Sequence, residues 1–281
     1  MSPNFFDTLE QAYRLAGKTP QATLDEIVLI GGQALILWLD VYNIDEFTSE
    51  RLACLASDDI DFLGNAQQVK ACAKYWGGKA KLPNIDDATP NSGQVIIDQS
   101  DDGTLQVIDF LQQAYGIRND QVHSYSDEVR LAGGQVIHVM SPPLCLVSRI
   151  RNLHGYLTNS APPLKAREIS RINSVITIVR YYLLNHISEI KSGNSDGLTP
   201  LKRVVNFLIK EVLKRKETRQ LAKEYDFDFS LMFPQEIIHL SPPMWCEHIF
   251  RAIEKYNSRV ERLRRDKANR EKQKSLRSRP S

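Results

Sequence analysis

Three aspartates stand where the chain alternates as a strand does. In Asp59-Ile60-Asp61 a period of two places both carboxylates on one face and Ile60 on the other. Asp109 interrupts the apolar run Val107-Ile-Asp-Phe-Leu111. A carboxylate inside such a run must be solvated, paired or bound to metal, because burying it alone is very costly. Three carboxylates on adjacent strands are hard oxygen donors suited to Mg²⁺ or Mn²⁺. Two such ions about 3.5–4 Å apart clamp the attacking and leaving oxygens of a phosphoryl or nucleotidyl transfer. On edge strands the same residues would be ordinary solvent-facing aspartates. Asp58 points away from the Asp59/Asp61 face and is assigned to the preceding turn.

Upstream, Gly31-Gly32 falls between a β-branched run, Glu26–Ile30, and a helix-like stretch, Gln33–Leu39. Glycine permits a tight turn and lets a phosphate approach the free N–H groups of a helix start. A plain tight turn is the competing reading. The chain has no GxxxxGK[ST] and no GxGxxG, which excludes a P-loop and a dinucleotide fingerprint. Cys54, Cys72, Cys145 and Cys246 form no CxxC pair, and the six histidines show no HExxH spacing, so a zinc centre is not expected.

The elements that would position these residues alternate in the first half. A leading helix is expected from Phe5 to Leu15, a strand at Asp59–Leu63, and a helix after Gly64-Asn65 up to Trp76. Gln94–Asp98 and Thr104–Leu111 flank Asp102-Gly103 as a hairpin, and Glu128–Leu131 and Gln135–Val139 form a second around Gly133-Gly134. From Met140-Ser-Pro-Pro143 onward helices dominate: Leu144–Leu157, Leu164–Ile190, Pro200–Lys216, and one from Pro243 into the tail. The fold class expected is α+β, with a mixed-sheet domain over 1–140, a helical domain over 141–258, and a basic tail over 259–281 that frays.

Charge follows the same division. Residues 1–140 hold 9 Lys+Arg and 20 Asp+Glu, a charge of −11, whereas residues 141–281 hold 27 and 14, a charge of +13. The basic half, including Lys202-Arg203, Lys210 and Lys214-Arg215-Lys216, suits an anionic partner such as a nucleic-acid backbone, or is a solvated helix face. Tyr181-Tyr182 and Trp245 could stack on bases, although aromatics at helical spacing are more often core. No run reaches the ~18–20 apolar residues of a membrane span, and no secretory signal is read at the N-terminus, so a cytoplasmic protein with reduced thiols is expected.

The order Gly-Gly, then Asp-x-Asp, then a third strand Asp resembles the DNA polymerase beta-like nucleotidyltransferase superfamily. The text IGGQALILWL, SDDIDFL and LQVIDFL is most similar to its AbiEii-type branch, toxins of toxin–antitoxin and phage-defence systems; the likeness covers roughly residues 25–170. It implies a nucleotidyltransferase-like fold for the first domain. It also implies that Gly31 and Gly32 hold a triphosphate, that Asp59 and Asp61 ligate both divalent ions, and that Asp109 holds the catalytic ion and helps deprotonate the acceptor hydroxyl. MSPPLCLVSRIRNL and LKAREISRI are similar to the family's helical follow-on, which maps Arg149 and Lys165 onto phosphate contacts. The 27 positions from Gly32 to Asp59 imply a loop insertion around 40–56, and Arg149 stands where relatives often carry Lys.

The resemblance implies transfer of a nucleoside monophosphate from an NTP to a hydroxyl, with Mg²⁺ or Mn²⁺ as cofactor. The acceptor would be an RNA 3′ end (tRNA among them) or a protein side chain, and a neutralising antitoxin protein would be a partner. Two other classes stand beside it: a non-catalytic nucleic-acid-binding protein that keeps the fold, and a DxD glycosyltransferase, against which the upstream Gly-Gly and the third Asp argue.

Overall fold

The structure is a computed structural model describing residues 7–55, 57, 59–84, 91–99, 104–193, 195–240 and 243–277. Asp58, the Asp102-Gly103 turn, Phe5 and the last four residues of the tail lie outside the described residues. The class is α+β. Helices α1 (Asp7–Gly17) and α2 (Gln21–Leu24) lead into β1 (Val28–Ile30), then α3 (Gly31–Val41), α4 (Ser49–Leu55) and β2 (Ile60–Leu63). Next come α5 (Ala66–Trp76), β3 (Lys79–Lys81), the long pair β4 (Asn91–Gln99) and β5 (Thr104–Leu111), α6 (Asn119–Ser124), β6 (Ser126–Arg130) and β7 (Val136–Met140). Everything after is helical: α7 (Pro142–Arg151), α8 (Pro162–Lys191), α9 (Leu198–Leu208), α10 (Lys216–Tyr225) and α11 (Pro243–Arg277), with short 3₁₀ and π segments between.

The seven strands form one mixed sheet in the order β3-β4-β5-β2-β1-β7-β6. β1 runs antiparallel to β2 and parallel to β7, and β2 runs parallel to β5. The register aligns Ile30, Asp61, Asp109 and Gln94 as one row across four adjacent strands. Paired residues on neighbouring strands share a face, so this row brings the acidic side chains together. α3 is apolar all round (Gly-Gly-Gln-Ala-Leu-Ile-Leu-Trp-Leu), as a helix enclosed by its neighbours must be, and every residue from Gly32 to Leu39 is buried. The 30-residue α8 packs on α7, α3 and α4.

Several expectations need correction. The stretch around 40–56 is not a plain loop: α3 continues to Val41, and α4 follows and packs against α8. Asp59 lies in a bend just before β2, exposed to solvent, and not within the strand. The helix expected over Pro200–Lys216 passes into a π segment at Ile209–Leu213, and a new helix begins at Lys216. The basic tail does not fray over its described length. α11 runs to Arg277, anchored by buried Tyr256 and Val260 and by Arg264, whose guanidinium donates to the carbonyls of Ala222 and Phe227 at 3.1 and 3.3 Å. Tyr182 is 5% exposed and packs edge-on against Trp38 and Tyr42, so it belongs to the core and does not present a ring to bases. No described helix is long and apolar enough to cross a membrane.

Candidate functional site

Gly31 is the local cause of the site. It follows β1 directly and opens α3 with φ +73°, a backbone conformation that an L side chain adopts only under strain. A Cβ there would overlap Asp61 Oδ2 and lie 3.2 Å from Asp61 Cγ. The helix start and the carboxylate therefore touch because residue 31 has no side chain. Gly32 is packed as tightly on its other side, where a Cβ would meet Ser57 Cβ at 2.7 Å and the Leu55 carbonyl at 3.0 Å. The approach expected at Gly31-Gly32 was that of a phosphate; the groups the structure sets against the two glycines are Asp61 at Gly31 and Ser57 with the Leu55 carbonyl at Gly32.

Asp61 and Asp109 are direct cross-strand neighbours on parallel β2 and β5. Asp109 Oδ1 accepts hydrogen bonds from Asn91 Nδ2 at 3.1 Å and Gln94 Nε2 at 2.9 Å, which orient that carboxylate on the sheet. The acid of Asp61 is pushed up to about 6, first by burial, then by the charges of Asp109 and Asp59; Arg149 and Arg171 pull it back. Asp59 belongs to the group electrostatically, although it sits at the exposed margin, with its backbone N–H donating to Ser57 Oγ at 3.4 Å.

Basic side chains face this acidic group from α7 and α8. Glu168, 2% exposed, is the post that holds them: Arg149 Nη1 lies 3.5 Å and Arg171 Nη1 3.7 Å from its Oε2, and Asn152 Nδ2 donates to Oε1 at 3.3 Å. Arg171 also donates to the Cys54 carbonyl at 2.7 Å, tying α8 to the end of α4. Burial, with Arg149 and Arg167 beside it, lowers the Arg171 pKa to about 10, while Glu168 opposes the shift; the guanidinium stays charged at neutral pH. Lys165 is turned elsewhere, its Nζ donating to the Thr158 carbonyl at 2.5 Å. The cation that accompanies Arg149 at Asp61 is Arg171, which sequence reasoning missed.

Gln94 and Asn91 were missed as well. A hairpin centred on residues 101–102 pairs position 94 with 109, so the signal for Gln94 lay in the turn spacing. No equivalent signal marks Arg171 or Glu168, because helix packing alone brings Arg171 near Asp61 and sets Glu168 between Arg149 and Arg171.

Among the described residues no group of three or more His, Cys, Asp or Glu side chains is already gathered as a metal-ligand set. The donor chemistry nevertheless suits a hard divalent cation. Two strand carboxylates lie side by side with a third at the margin, and the Asp61 pKa, raised first by burial and then by the charges of Asp109 and Asp59, would be drawn down by a cation. Comparison with protein-family models, curated proteins and solved structures found no match to this chain.

Proposed function

We propose that the chain is a metal-dependent nucleotidyltransferase that moves a nucleoside monophosphate from an NTP to a hydroxyl acceptor, an RNA 3′ end or a protein side chain. The observation that carries this reading is the Asp61–Asp109 pair set against the Gly31 start of α3. Bound Mg²⁺ or Mn²⁺ would supply Lewis-acid neutralisation of the phosphate charge. Asp59, Asp61 and Asp109 are the residues that would hold it. By the resemblance to the nucleotidyltransferase superfamily, Gly31 and Gly32 would hold the triphosphate at the first N–H groups of α3. Arg149 and Arg171 sit where they can balance phosphate charge, Arg doing so bidentately. The acceptor oxygen bonds to the α-phosphorus as the bond to pyrophosphate breaks, and the carboxylate of Asp109, oriented by Asn91 and Gln94, receives the hydroxyl proton. The resemblance to AbiEii-type toxins adds a toxin or phage-defence role and an antitoxin partner to the same proposal.

The test is incubation of the full chain with Mg²⁺, total RNA, protein extract and each of the four NTPs, labelled at the α-phosphate and in parallel at the γ-phosphate. Transfer of α label alone, lost in Asp61→Asn and Asp109→Asn, is the expected result. Transfer of γ label, or activity that survives both substitutions, overturns the assignment. The charge of +13 over residues 141–281 favours one alternative, a non-catalytic protein whose second half binds nucleic acid. Salt-dependent RNA binding with no label transfer from any NTP would select it.

A further inference from the structure

The sheet face that carries Asp61 and Asp109 is covered at one end and open at the other. At β1 and β2 it lies under α3 and near the arginines of α7 and α8. Beyond β2 the register carries that face onward in three rows. Asp109, Gln94 and Lys81 form the first, Val107, Ile96 and Lys79 the second, and Leu105 and Asp98 the third. Residues two apart on a strand, or paired across strands, share a face, and the Gln94 amide donating to Asp109 agrees with that.

Exposure separates the two faces. Val95, Ile108 and Phe110, on the opposite face, are each 0% exposed, and Trp76 of α5 packs there on Phe62 and Phe110. On the Asp109 face Ile96 and Val107 are half-buried, Leu105 is 60% exposed, and Lys79 and Lys81 are exposed. The result is a shelf about 10 Å wide, the two strand spacings from β5 to β3, that begins at a carboxylate of the site. Its middle is aliphatic and its far rim is cationic. The Cα atoms of Lys79 and Lys81 stand about 6.6 Å apart, close to the separation of neighbouring phosphates in an extended nucleic-acid strand. Lysines on a short edge strand also discourage strand pairing, which disfavours a peptide laid along β3.

The shelf lies on the side where the acceptor must enter. In the transfer proposed above the triphosphate sits by Gly31, at β1, and the acceptor hydroxyl gives its proton to Asp109, on β5. The acceptor therefore has the covered end of the sheet on one side and the shelf on the other. We infer that the acceptor is an RNA 3′ end laid over β5, β4 and β3, its terminal base on Val107 and Ile96 and its upstream phosphates on Lys79 and Lys81. The inference rests on the transferase reading for the place of the hydroxyl at Asp109. It sets the acceptor on the −11 half of the chain, not on the +13 half where charge alone would put it.

The test is photocrosslinking of the full chain, with Mg²⁺, to a single-stranded RNA whose 3′-terminal residue is 4-thiouridine, with the crosslinked peptides identified by mass spectrometry. The expected crosslink falls on β4 or β5. Each lysine that neutralises a phosphate releases counterions, so the contact weakens with salt. At RNA concentrations far below saturation, Lys79→Ala/Lys81→Ala should make the slope of log yield against log salt shallower by about 1.4, from two contacts at about 0.7 each. Both lysines are exposed, so the variant should keep the parent's thermal midpoint. Crosslinks confined to residues 141–281, an unchanged salt slope, or transfer of α label to protein and not to RNA overturns the inference. Crosslinking needs no turnover, so the two readings separate. Label transfer without a shelf crosslink defeats this inference alone, and a shelf crosslink without label transfer from any NTP defeats the transferase reading alone.

Discussion

Replacing Gly31 by alanine probes the contact on which the site is built. The added Cβ must occupy a backbone at φ +73°, which costs about 1–2 kcal/mol for an L residue. It must also displace the Asp61 carboxylate, which has to retreat by roughly 1 Å to restore ordinary van der Waals contact. Overpacking of that kind costs about 1–3 kcal/mol. The stiffer unfolded chain of the variant returns about 0.5–1 kcal/mol. The net expectation is a loss of about 2–3 kcal/mol in urea unfolding. A displacement of that size at a reacting centre also slows transfer about 100-fold. Gly17→Ala is the control: nothing lies within 4 Å of its added Cβ, so its urea midpoint should match the parent or rise slightly. A Gly31→Ala protein with the parent's midpoint and rate would show that the helix start does not abut Asp61.

Two further outcomes follow from buried charges. Glu168→Gln leaves Arg149 and Arg171 without their shared carboxylate; removing one partner of a buried pair costs about 3 kcal/mol, read by urea denaturation, and a loss below about 1 kcal/mol would show the cluster to be solvated. The Asp127 acid is raised to about 6, so the fold favours its neutral form. That contribution is fully present below the unfolded value near 4 and is lost as pH rises through about 6. The stability of Asp127→Asn relative to the parent should therefore improve by about 2–3 kcal/mol between pH 4 and pH 7.5; parallel profiles would count against a desolvated carboxyl.

That Asp61 and Asp109 stand on strands was legible because alternation is a local property, and Gly31-Gly32 announced the turn after β1; that parallel β2 and β5 set the two carboxylates in one row with Ile30 was not, since that pairing is long-range. Asp59 was misplaced by one residue, at a strand boundary, where alternation has no neighbour to confirm it. The cation facing Asp61 was not legible. Lys165 and Arg171 lie about 120° apart around α8, and only the packing of α8 on α7, α3 and α4 decides which side turns toward the sheet. The tail was misread on charge alone. Arg, Lys, Glu and Gln are good helix formers, and once Val260 and Arg264 are docked the helix continues through Arg277. The proline pair at 142–143 marked the end of the sheet correctly.

The central claim is that Asp61 and Asp109, beside Gly31, hold a divalent ion together with a nucleoside triphosphate. Electron paramagnetic resonance of free Mn²⁺, titrated with the full chain with and without a non-hydrolysable NTP, tests it most directly. The expected result is saturable loss of the free-ion signal, tighter when the nucleotide is present, and its return in the Asp61→Asn/Asp109→Asn double variant. An unchanged free-ion signal with the parent protein, or equal binding by the double variant, would contradict it.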